Sequence, residues 1–219
     1  MKAQIFNRKQ IEFLGIFRAI PFLGDNFYLT GGTALADFYL QHRYSEDLDF
    51  FSEKEIDILG LNVALKKIKG KMKVTKSEFQ QSYNRNLYFL YFGREVLKTE
   101  FTYFPFPRIK KLHSADGISI DSLEDIAVNK LFTIYQRVAA RDYIDLYCIL
   151  KNKQFKMANL IKQAKSKFDW HIDPIQLGSR LFQVSEATDF PRMLIKISNK
   201  EWRDFFIHEA EKLKNQIIK

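Results

Sequence analysis

Asp47 and Asp49 are the two residues whose type and spacing point most directly to chemistry. They stand in the run Ser45-Glu46-Asp47-Leu48-Asp49-Phe50-Phe51. A strand alternates its side chains with a period of two, so both carboxylates project from one face while Leu48 and Phe50 take the other. At a separation of about 4 Å the two charges repel by roughly 4 kcal/mol at an effective dielectric of about 20. A divalent cation removes that cost. Mg²⁺ takes oxygen ligands, is often held by one or two protein carboxylates, and fills its other positions with water and substrate phosphates. Upstream, the pattern predicts a short strand from Phe27 to Thr30 that ends in Gly31 and Gly32, then a helix from about Thr33 to His42. Paired glycines permit a tight turn and close backbone approach, and the N–H groups of a helix that starts at Thr33 attract phosphate. Metal and triphosphate are thus expected side by side. Taken singly, Asp-x-Asp also serves as a helix cap, a fragment of a calcium loop or polar positions on a strand, and Gly-Gly-Thr is a turn; order and spacing set them apart.

The elements that must hold these residues follow from composition and periodicity. With 219 residues, 46% of them hydrophobic, and 21 phenylalanines, the chain can bury a substantial core. The start of the chain lacks the apolar centre of a signal peptide, and Arg18 interrupts the longest apolar run, so a cytoplasmic protein with no membrane partner is expected. The single cysteine, Cys148, reads as a buried thiol and excludes an internal disulfide. The four histidines are scattered without ligand spacing. A net charge of +9, densest at Lys66, Lys67, Lys69, Lys71 and Lys73, fits a polyanionic partner, although a solvated helix end explains that run nearly as well.

Residues 5–20 read as one or two amphipathic helices before Pro21, and 53–69 as a further helix. Strand patterns follow at 73–80, 87–92 and 95–104, with a tight hairpin at Gly93-Arg94. In the last strand Lys98, Glu100 and Thr102 share one face. Pro105, Pro107 and then Ser114-Ala115-Asp116-Gly117 mark the clearest boundary, Ile118–Ile120 one more short strand, and the remainder reads as helices. Ser122 and Asp125 fit a capping box. Further helices are expected at 142–150, at 157–168, after Asp173-Pro174, and at 201–218.

Gly31-Gly32-Thr33-Ala34-Leu35-Ala36, followed by His42-Arg43-Tyr44-Ser45-Glu46-Asp47-Leu48-Asp49-Phe50-Phe51, resembles the signature of the AbiEii/AbiGii toxin-like nucleotidyltransferases of the DNA polymerase β-like superfamily. The resemblance returns in Asp125 to Leu131 and in Arg141 to Tyr147. It implies an α+β fold, with a mixed β-sheet nucleotidyltransferase core over 1–108 and a helical domain over 109–219 that closes the active-site cleft. It also implies Mg²⁺ (or Mn²⁺), an NTP substrate, transfer of its NMP to an acceptor hydroxyl, and a toxin–antitoxin or phage-defence setting with a cognate antitoxin protein. Resemblance and charge together favour RNA, especially a tRNA end, as acceptor. By the same resemblance Glu100 is the third catalytic carboxylate and metal ligand beside Asp47 and Asp49, although a cross-strand ion pair is its alternative role and Asp is commoner there. Lys130 and Asp145 join the catalytic set, and Gly31, Gly32, Thr33, Ser45, Lys130, Arg141 and Asp142 hold nucleotide. Ala139 stands where a further basic residue is usual. A nucleotide- or RNA-binding protein without catalysis, or a basic interaction module, is the alternative class.

Overall fold

The computed structural model describes residues 5–151 and 155–217, the side chains of 215–217 excepted. The chain divides into two compact units, Met1–Tyr39 with Tyr44–Pro107 and Lys111–Ser122, and Leu40–Arg43 with Arg108–Lys110 and Leu123–Lys219.

The first unit opens with α1 (Arg8–Phe17), capped by Asn7 in a reciprocal box with Gln10, and α2 (Pro21–Asn26), where Asp25 and Asn26 end the helix. Then come β1 (Tyr28–Thr30), a turn of helix α3 (Gly31–Ala34) that continues as a π-helix (Leu35–Leu40), and β2 (Leu48–Ser52). The helix begins two residues before the expected Thr33, and it ends at Leu40 because Gln41 takes a left-handed φ of 51°. Asp47 lies just outside β2. The next helix, α4 (Ile58–Met72), starts later than expected: the Asp57 carboxylate accepts the Gly60 N–H at 3.0 Å and fixes the first turn there. Strands β3 (Lys76–Ser82), β4 (Arg85–Phe92) and β5 (Glu95–Tyr103) form two hairpins, the second turning at Gly93 with φ 66°.

Two short strands, β6 (His113–Ala115) and β7 (Ile118–Ile120), complete a seven-stranded mixed sheet in the order β3-β4-β5-β2-β1-β7-β6. Because β7 runs parallel to β1, pairing Ile120 with Leu29, the sheet unit keeps the chain to Ser122, past the expected junction at 108. Phe13 and Phe17 of α1 pack on Phe50, which stacks on Phe101 at 5.1 Å, and Leu61, Leu65 and Ile68 of α4 are fully buried. One sheet face is thereby a core. The carboxylates belong to the other face.

The second unit holds α5 (Leu123–Gln136), α6 (Ala140–Lys151), α7 (Met157–Phe168), α8 (Pro174–Phe182) and α9 (Asn199–Ile217). The expected end of the last helix at residue 218 lies outside the described residues. Asp173 caps α8 ahead of Pro174, and Tyr143, Trp202 and Phe206 form an aromatic core. Buried Asp125 receives the N–H groups of Ile109 and Lys110 and, at 2.7 Å, the buried Lys167 ammonium. Its carboxylate thus binds well beyond the helix cap assigned to it from sequence. Cys148 is buried, which pushes its thiol pKa up to about 12. No helix among the described residues is long and apolar enough to cross a membrane.

Candidate active site

Asp49 sits in the middle of the sheet, paired with Thr30 of β1 on one side and with Glu100 of β5 on the other. Paired residues of neighbouring strands share a face, so these three side chains lie in one row. Gly31 closes over that row. Its φ is 71°, and a Cβ added there would stand 2.6 Å from the Asp49 Oδ2 atom. Glycine is needed for conformation and for space at once. Sequence reasoning assigned it the close approach and was silent on what it approaches.

Around this row the protein supplies its own counter-charges. The Lys98 ammonium lies 2.6 Å from an Asp47 carboxylate oxygen. Arg85 binds Glu100 with both arms, Nε to Oε1 at 2.6 Å and Nη2 to Oε2 at 2.7 Å, while the Thr102 hydroxyl donates to Oε1 at 2.8 Å. Burial pushes the Glu100 pKa up, but the Arg85 and Thr102 hydrogen bonds and the charges of Arg85 and Lys98 outweigh it and hold the group below its ordinary value. The geometry around Glu100 is thus the cross-strand ion pair. Among the described residues no three His, Cys, Asp or Glu side chains gather to hold a metal ion. Two carboxylates with hard oxygens nonetheless fit Mg²⁺ or Mn²⁺, which need few protein ligands when phosphates supply the rest, and the space a Cβ at Gly31 would fill keeps the Asp49 oxygen accessible.

Thr33 and Ser45 do something other than reach for phosphate. Thr33 is fully buried, its hydroxyl donates to the Asp47 carbonyl, and it bonds the Ser45 hydroxyl at 2.6 Å. They fasten the backbone that presents Asp47, and the Gln10 amide, donating to the Ser45 carbonyl at 3.1 Å, fastens it further. Gly32 is buried behind them. One carboxylate went unforeseen: buried Asp121, directly after β7, accepts the Thr30 hydroxyl at 2.7 Å. Thr30 pairs with Asp49. Only the order of the strands brings these residues together, so no local motif marks Asp121.

The second unit builds a buried ionic cluster. Lys130 of α5 lies 2.7 Å from Asp142 and 2.7 Å from Asp145, both on α6. Asp145 also accepts Arg43 through Nε at 2.6 Å and Nη2 at 2.8 Å, and His42 Nε2 lies 2.7 Å from its Oδ1. Arg137 binds Asp142 at 2.9 Å with half its side chain exposed. Burial lowers the Lys130 pKa, but Asp145 and Asp142 more than reverse this and raise it. Arg141, expected in this group, is exposed and makes no ion pair among the described residues; Arg43 and Arg137 supply the guanidinium groups instead. Three-residue spacing put Asp142 and Asp145 on one helix face, whereas the approach of Arg43 from about 100 positions earlier is a tertiary fact.

Fold and family match together define a nucleotidyltransferase. The structure resembles that of JHP933 from Helicobacter pylori over 96% of this chain and 94% of that one, with a TM-score of 0.61 and 22% identity. It also resembles MenT4, a nucleotidyltransferase toxin of Mycobacterium tuberculosis H37Rv, over 94% and 84% of the two chains, with a TM-score of 0.53 and 13% identity. In sequence it is 30% identical over 146 residues to an uncharacterized protein of Aquifex aeolicus (strain VF5), 66% of this chain and 67% of the other. The family described as nucleotidyl transferase AbiEii toxin, type IV TA system, matches residues 13–215, and the chain belongs to it.

Gly31→Ala tests the turn. The left-handed φ costs an L-residue about 1–2 kcal/mol, and the Asp49 carboxylate must move to admit the methyl group. Urea unfolding should show a loss of that size, and transfer activity should fall further, roughly ten- to hundredfold, because misplacing a reacting group is costly.

Proposed function

We propose that the protein transfers the NMP of an NTP to a hydroxyl of RNA, with Asp47 and Asp49 holding Mg²⁺ or Mn²⁺. The observation that carries this reading is Asp49, two residues after Asp47, directly against a glycine turn that only a residue without a side chain can make at Gly31. The acceptor oxygen attacks the α-phosphorus, the bond to the bridging oxygen breaks, and pyrophosphate leaves with that electron pair. The acceptor proton passes to water. When bound, the cation neutralises the phosphate charge that develops in this displacement. The chain's own part is positioning: Thr33 and Ser45 fix the Asp47 backbone, Gly31 admits phosphate next to Asp49, Lys98 pairs with Asp47, and Arg85 pairs with Glu100. Glu100, committed to Arg85, acts here as a positioning carboxylate.

In the helical unit Lys130 is bound by two aspartates, so it and Asp145 serve to shape that unit, while half-exposed Arg137 and exposed Arg141 are the cations it offers to phosphate. RNA is supported by charge. Lys66, Lys67 and Lys71 of α4, which has no acidic residue within it, and Lys73 that caps its end are exposed and form no ion pair among the described residues. The family further supports a cytoplasmic protein with a cognate antitoxin.

Incubation with each α-labelled NTP, total RNA and cell protein, with and without Mg²⁺, tests the reading. Label should appear on RNA in the Mg²⁺-containing reaction. Label on protein, or NTP binding with label on nothing, would overturn it.

A further inference from the structure

The row of acidic residues does not end the face on which it lies. Asp49 pairs with Glu100 and Glu100 with Leu87, so the same face continues outward over β5 and β4 to the edge strand β3. Alternation along β4 puts Leu87, Phe89 and Tyr91 on it, and pairing adds Lys98 and Val96 from β5 and Glu78 and Lys76 from β3. Val96 is 50% exposed, and Leu87, Phe89 and Tyr91 are partly exposed. The opposite face of this hairpin carries Tyr88, Leu90 and Leu97, which are core. Two inter-strand spacings of about 4.8 Å separate Asp49 from Leu87, and Phe89 and Tyr91 follow at steps of about 6.8 Å.

We infer that this face is the bed for the single-stranded end of the acceptor RNA, its bases lying on Phe89 and Tyr91 and its terminal hydroxyl directed to Asp47 and Asp49. The inference rests on the reading of RNA as acceptor. Flat sheet faces that present aromatic rings hold unpaired bases by stacking, largely without regard to sequence. Phe89 stacks on no other ring among the described residues, and the Lys76 ammonium stands 5.1 Å from the centroid of the Tyr91 ring, whose hydroxyl bonds Glu78 at the ring's edge. Charge complementarity favours RNA over an apolar protein surface. Arg85 spends two of its five N–H donors on Glu100 and stays half exposed. Lys76 pairs with Glu78 at 2.6 Å while its side chain stays 66% exposed, and Arg94, in the turn between β4 and β5, is exposed and forms no ion pair among the described residues. Phosphates on either side of the stacked bases therefore meet donors.

The test is binding of a fluorescent 12-nucleotide single-stranded RNA without NTP, followed by anisotropy. Phe89→Ala/Tyr91→Ala should bind it at least about tenfold more weakly than wild type, while Mg²⁺-dependent retention of labelled NTP is unchanged. Phe89→Trp covers the case in which the double variant is misfolded: it should bind RNA as tightly as wild type, and its added tryptophan emission should be quenched by RNA. A double variant with wild-type RNA affinity overturns the inference and leaves the face to a protein partner, as does a Phe89→Trp emission indifferent to saturating RNA. Wild type that binds no RNA and labels only protein overturns this inference and the acceptor reading together, a result distinct from either of the first two.

Discussion

Asp49→Asn should lower nucleotidyl transfer by two to three orders of magnitude while leaving the unfolding midpoint within a few degrees of wild type. The size follows from what the substitution removes. Asparagine keeps the shape of the side chain under Gly31 and the strand pairing with Thr30 and Glu100. It removes one of two negative charges proposed to hold the cation, and losing one preorganised electrostatic contact to a transition state costs about that much. Stability should barely change, since the lost charge has both an attractive neighbour in Arg85 and repulsive ones in the other carboxylates. Steady-state transfer and thermal unfolding of one preparation measure both. Glu100→Gln gives the contrast. Glu100 already spends both oxygens on Arg85, so its amide should cost stability through a weakened ion pair and cost activity less than Asp49→Asn. Equal losses of activity would return Glu100 to the metal.

How far the sequence reaches is visible in particular residues. The approach of Gly31 to Asp49 is legible because it is local, set by one turn and a short helix, whereas Asp47, expected on the same strand, falls just outside β2. The hairpin at Gly93 and the cap at Asp173-Pro174 are local for the same reason. The segment of β6 reads from sequence as a boundary, although Asp116 and Gly117 have the paired positive φ values, 49° and 74°, of a two-residue hairpin turn that Asp-Gly favours. There the signal was present and outweighed by the surrounding polar composition. The partners of the acidic residues were of another kind. Arg85 reaches Glu100 only because β4 and β5 pair in one register, and Arg43 reaches Asp145 across 102 positions. Periodicity assigns a side chain to a face and says nothing about which distant charge will share it. Nothing in the periodicity marks the early start of α3 at Gly31, whose φ is 71°, or its π-helical continuation.

The buried cluster of the helical unit yields the largest expected effect on stability. Asp145→Ala should destabilise the protein by about 3–5 kcal/mol, the range for removing one partner of a buried ion pair. Asp145 is fully buried and carries Lys130, Arg43 and the His42 ring on two oxygens. Without it Lys130 keeps Asp142, whereas the Arg43 guanidinium, 5% exposed, loses both of its hydrogen bonds to this carboxylate. Asp142→Ala should cost less, because Arg137 on its outer side is half exposed and turns to water. Total stabilities of 5–15 kcal/mol make the first change a large fraction of the whole, so urea unfolding will resolve it. The acid limb supplies an independent check. Burial pushes the Asp145 pKa up, but the Lys130 and Arg43 charges and the Arg43 and His42 hydrogen bonds hold it well below the unfolded value of 3.8. A carboxyl depressed on folding contributes stability that is complete above the unfolded pKa and disappears as pH falls through the folded one. Wild type should therefore lose stability steeply below about pH 4, and the gap between it and Asp145→Ala should narrow there. A gap that stays constant down to pH 2 would mean that the cost came from a cavity instead of a charge.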